Sequence, residues 1–108
     1  MLEKQISLYK RCLQEHRYYD AHEALEELWF PRRFEQSNEV KILKAFINAA
    51  VSFELHKRGR PQQSAKVWQN YLKYRGLLFK VGKEYLPHFY RLSREVEEHK
   101  RKNSLFHH

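Results

Sequence analysis

The chain has 108 residues, 42% apolar and 15% aromatic, with only three glycines and three prolines, which suits one compact domain and excludes a globally disordered chain. Threonine is absent and valine and isoleucine number five and three, too few β-branched residues for a sandwich, a barrel or a parallel α/β sheet. The formal charge of +8 is uneven: the chain is near neutral through His56, at −1, and carries +9 from Lys57 onward.

The apolar spacing predicts an all-α fold, a single bundle of about five helices over residues 1–108. The first helix runs from about Leu2 to His16 and buries Ile6, Tyr9 and Leu13. Asp20 is expected to cap the second, with Glu23 three positions on completing a capping box. That helix reaches Trp29 or Phe30, where Pro31 stops it, and Arg32 to Ser37 is a polar loop. The third helix starts at Ser37 or Asn38, ends near Lys57 before Gly59, and carries Leu43, Phe46, Ile47, Ala50 and Phe53 around most of its surface. So apolar a helix belongs at the centre. Pro61 opens the fourth helix, expected to last to about Val81 with Ala65, Trp68, Tyr71, Leu72 and Phe79 on its buried side. Gly82 ends it. Pro87 opens the fifth, with Phe89, Leu92 and Val96 inward, and the tail from about Lys100 to His108 is expected to fray.

Cys12 is the sole cysteine, so no intrachain disulfide forms, and it suits a small buried thiol. The polar stretch Glu3 to Gln5 is unlike a signal peptide. The most apolar window, Ala45 to Phe53, is too short for a bilayer and holds Asn48 and Ser52. A cytoplasmic protein without membrane association is expected.

Within YDAHEALEELW, Ala21, Leu25, Leu28 and Trp29 form an apolar arc. His22 and Glu26, four apart, stack on one edge of it. An imidazole and a carboxylate at this spacing can share a metal, or the carboxylate can orient the ring for proton transfer. They can equally be a docking pair beside Trp29. Glu26 stands where a zinc protease has its second histidine, so the protease motif is not met. Asn48, Ser52 and His56 follow one another at intervals of four, and His56 is the natural distant partner. The candidate polar network is therefore His22, Glu23, Glu26, Trp29, Asn48 and His56, with His22, Glu26 and His56 as the weak metal candidates. No cofactor is expected. Ser52 is expected on a solvated face that continues Lys41 and Lys44.

Lys66, Lys73 and Lys80 recur every seven residues and are expected to line one side of the fourth helix. Such a surface can hold nucleic acid or an acidic protein, and any such affinity falls steeply with salt. It is also what a solvated amphipathic helix shows. The glycines are too far apart for a phosphate loop, and no serine has the setting of a nucleophile elbow. Pairing of two copies through exposed aromatics is open to so small a domain. The closing His107-His108 carries no site argument.

The His22-Glu23-x-x-Glu26-x-x-Trp29 core, the Ala45-Phe46-Ile47-Asn48-Ala49-Ala50 segment and His56 followed by Gly59 resemble the small helical family known as domain of unknown function 309. Asn48 stands where that family usually has Gln, Arg60 where Asn is usual, and Ser64-Ala65 where Gly-Ala is usual. The resemblance, over residues 10–80, implies a helical bundle of unassigned role and directs attention to His22 and Glu26. The expected function is a binding or interaction module built on the His/Glu network between helices two and three. Alternatives are a metal-dependent or hydrolase-like enzyme using the same residues, and nucleic-acid binding.

Overall fold

A computed structural model describes residues 2–103, whose helices are α1 (Leu2–Gln14), α2 (Tyr18–Trp29), α3 (Asn38–Lys57), α4 (Pro61–Arg75) and α5 (Leu86–Lys102). Short 3₁₀ turns occupy Phe30–Arg32 and Gly76–Lys80, and no strand occurs among the described residues. No helix of the described residues is long and apolar enough to cross a membrane.

Two helix ends share one device. His16 and Gly59 both take positive φ, at 59° and 79°. The amide of the following residue then reaches back to the last turn, Arg17 to the Cys12 carbonyl at 2.8 Å and Arg60 to that of Leu55 at 2.9 Å. This is the Schellman closure expected of a left-handed C-terminal residue. Because α1 turns so tightly at His16, α2 begins at Tyr18 rather than after Asp20. The expected capping box is absent: Arg17 is the N-cap, without a side-chain cap, and Asp20 instead pairs with Arg17 at 2.9 Å. Ser37 does cap α3, its hydroxyl accepting from the Val40 amide at 3.3 Å.

The fourth helix is shorter than predicted. It stops at Arg75 and tightens into the 3₁₀ turn from Gly76. Phe79 therefore leaves the buried stripe and is 71% exposed. Ala65 is exposed too, while Ser64 one residue earlier is buried with Trp68 and Tyr71. The fifth helix does not fray at Lys100 but continues to Lys102, where the Asn103 amide closes on the His99 carbonyl at 3.1 Å. Residues 104–108, including His107 and His108, lie outside the described residues.

α3 is central and packs against α2, α4, α5 and the Gly76–Lys80 turn, while α1 closes on α2 and α5. Its Phe46 ring meets Tyr9, Tyr71 and Phe89 at 6.5, 5.8 and 5.9 Å between centroids. Tyr9 is wholly buried, and its hydroxyl donates to the Phe46 carbonyl at 2.7 Å, so the core pays no orphaned donor there. Burial also raises the pKa of the Cys12 thiol.

Candidate functional site

Two contacts set the register of α2 on α3. At one end the Lys44 ammonium sits 4.3 Å from the Trp29 ring centroid. Toward the other, His22 shares a cleft wall with Val51 and Leu55. The two helices are thus antiparallel, and Lys44, Asn48, Val51 and Leu55 form the stripe of α3 that faces α2.

The cleft has a volume of about 520 Å³. From α2 it takes Tyr18, Tyr19 and His22, and from α3 it takes Val51, Glu54 and Leu55. Arg58 and Arg60, on either side of Gly59 in the connection to α4, complete the rim. The floor is apolar, and the rim is charged.

His22 is held from within its own helix. Its Nε2 lies 3.3 Å from Glu26 Oε2, with both side chains partly exposed, and the Tyr19 ring packs edge-on at 5.8 Å. A carboxylate one turn along fixes which way the imidazole faces, and a His so held can donate, accept or ligate. One ligand atom each from His22, Glu23 and Glu26 lie within 4.8 Å of one another, so these three can hold a cation together.

The other sequence candidates are placed differently. Trp29 is half-buried beneath Lys44 and lines no wall of the cleft. Asn48 is half-buried on the α2-facing stripe, but among the described residues no hydrogen bond joins it to His22 or Glu26. His56 is one residue beyond Leu55, about 100° round the helix from the cleft wall, and it is not in the cation-holding trio. Ser52 corrects the expectation of a solvated face: it is wholly buried against α4. Its hydroxyl donates to the Ser64 carbonyl at 2.7 Å, and the Ser64 hydroxyl donates back to the Ser52 carbonyl at 2.6 Å. The strip Asn48–Ser52–His56 therefore does not converge on His22.

Of the three lysines, all exposed, only two lie on the fourth helix. Lys66 and Lys73 are exposed on α4, whereas Lys80 falls in the 3₁₀ turn, where its carbonyl accepts from the Asn38 side chain at 3.1 Å.

Sequence reasoning missed His99. It sits in the last turn of α5 with Nε2 2.7 Å from the Tyr18 hydroxyl, and its ring lies 5.2 Å from those of both His16 and Phe53. Burial first, and then the neighbouring His16, lower its pKa to about 4. Burial first, and then Glu54, raise the Tyr18 pKa to about 12. A signal was present, because His99 continues the stripe Phe89, Leu92, Val96 at helical spacing. The cleft arginines also had a signal: a glycine C-cap between two arginines puts both at one turn.

A family profile described as a domain of unknown function, DUF309, matches residues 6–67, more than half of the chain. The chain belongs to the DUF309 family. No curated protein and no solved structure matches it. The DUF309 match takes in α1 to α3 and the start of α4, with every residue that lines the cleft. Lys73, Lys80 and His99 lie beyond it. The family description assigns no biochemical role.

Proposed function

We propose that the protein is a small-ligand binding module whose receiving surface is the cleft between α2 and α3, with Glu26 positioning His22 along its wall. The carrying observation is the cleft itself: about 520 Å³, an apolar floor of Val51 and Leu55, and converging polar groups from two helices and a turn. A concave apolar site with a few oriented polar groups is the usual form of a ligand pocket. The test is an NMR titration of the full chain with fragment-sized acids, amines and neutral compounds. Saturable shifts at Tyr19, His22, Val51 and Leu55, lost in His22→Ala, support the reading. If no compound moves these residues while His22→Ala costs ~1–3 kcal/mol of stability, the His22–Glu26 pair is only a docking contact.

A second reading rests on the 4.8 Å convergence of His22, Glu23 and Glu26. With Glu23 rather than His56 as the third ligand, the trio offers one nitrogen and two carboxylate oxygens. A divalent cation so held keeps positions for water, the arrangement of a hydrolytic centre. Titration of tag-free protein with zinc or manganese, read by calorimetry, checks it. Binding unchanged in Glu23→Gln/Glu26→Gln, or no binding, removes this reading.

A further inference from the structure

We infer that the ligand of the α2–α3 cleft is an amphiphilic organic anion, a carboxylate or phosphate monoester carried on a flat apolar body. This rests on the reading of that cleft as a binding site. The charge balance of the rim gives the sign. Glu54 is the one carboxylate among the lining residues, and Arg58 Nε donates to it at 2.5 Å. That bond uses one edge of the guanidinium and offsets the Glu54 charge. The Nη groups of Arg58 make no further hydrogen bond among the described residues. Arg60 forms no ion pair among the described residues, so the rim carries a surplus positive charge.

Two guanidinium groups two residues apart suit one oxyanion, because each presents paired donors that match carboxylate or phosphate oxygens. A cationic ligand meets the same pair with repulsion. A purely apolar ligand leaves both unused. Glu26 does not line the cleft, where it would oppose an anion; it stands behind His22.

The shape gives the body. Below the rim the cleft is walled by Val51, Leu55 and Tyr18, and at its mouth Tyr19 is 57% exposed. An aromatic ring left that open beside an apolar floor offers a stacking face for a flat group. A bare inorganic anion would contact the rim and leave the floor empty.

Four probes separate these elements in NMR titrations of the full chain: phenyl phosphate, benzoate, benzyl alcohol and inorganic phosphate. Phenyl phosphate and benzoate are expected to shift Tyr19, Val51 and Leu55 saturably, with affinity that falls as salt is added. Benzyl alcohol and inorganic phosphate are expected to bind at least ~10-fold more weakly, and Arg60→Glu to weaken phenyl phosphate by about 10-fold while leaving the thermal midpoint in place. Arg60 is exposed, so that variant keeps its fold. Benzyl alcohol bound at the cleft as tightly as benzoate, or Arg60→Glu without effect, overturns the anion assignment and leaves the cleft a binding site. Inorganic phosphate bound as tightly as phenyl phosphate overturns the apolar body. If none of the four moves the cleft residues while some other fragment does, only the ligand class fails. If no compound does, the binding reading fails with it.

Discussion

His99 is 9% exposed, and its folded pKa of about 4 lies below the ordinary 6.5. The folded protein therefore holds the ring neutral where an unfolded chain protonates it. Between those two values the unfolded state binds more protons, so the contribution is fully present above pH 6.5 and is lost as pH falls toward 4. A shift of this size corresponds to about 3 kcal/mol across that window. We expect the urea midpoint of the wild type to fall toward that of His99→Gln as pH drops from 7.5 to 4. Parallel curves for the two proteins would show that His99 does not titrate in this way. The same residue ties the end of α5 to Tyr18, a wall of the cleft, so acid should also loosen the site from behind.

At the level of helices, the two left-handed ends and the α4 stop distinguish three backbone positions. Gly59 has φ of +79°, where a side chain is strained, while Gly76 is in the α region with nothing within 4 Å of an added Cβ. Gly59→Ala should cost about 1 kcal/mol and Gly76→Ala should gain about 0.5 kcal/mol, since only the second backbone suits alanine. Chemical denaturation of both variants checks the pair, and equal signs would contradict it. The α3–α4 contact has its own test. Each serine of the Ser52–Ser64 pair donates to the other's carbonyl, and the hydroxyl oxygens lie 3.1 Å apart. Either serine to alanine should cost ~1–2 kcal/mol, because it leaves a buried carbonyl without its donor, and the double variant less than the sum, because both single changes already remove the hydroxyl–hydroxyl contact. An additive result would mean the two hydroxyls act independently. These elements also show what could be read beforehand. The five helices and the central α3 were legible because apolar period and proline or glycine punctuation depend on near neighbours alone. The start of α2 was not, since His16 performs a turn usually given to glycine. His22–Glu26 was legible because i,i+4 spacing suffices. The cleft was not, because its arginines meet Tyr19 and His22 only through the register of α2 on α3. Ser52 was misread because a serine hydroxyl suits water or a buried carbonyl equally, and Ser64 opposite it decides.

Across the whole molecule, the +9 of the C-terminal half is spread over several elements. Lys66 and Lys73 project from α4, while Arg91 and Arg94 line a groove between α1 and α5 whose Glu95 and Glu98 offset part of their charge. What joins these parts is aromatic packing through α3. The Phe53 ring lies 5.6 Å from Tyr18 of α2, 5.8 Å from Trp68 of α4 and 5.2 Å from His99 of α5. It is wholly buried, so one side chain couples three helices, alongside the Tyr18–His99 bond of α2 to α5 and the Tyr71–Glu97 bond of α4 to α5. Phe53→Ala should then cost about 3–5 kcal/mol, a large share of the ~5–15 kcal/mol that stabilises a domain of this size. The loss should register at every position at once: the fluorescence of Trp29 and Trp68, near-ultraviolet tyrosine signal and helical content should share one lowered midpoint. Phe53→Leu keeps part of the contact with each neighbour and should fall between the two. If Phe53→Ala instead frees α5 alone, with tryptophan fluorescence and the bulk of the helix signal melting at the original midpoint, the helices are held by pairwise contacts and Phe53 is not their common joint.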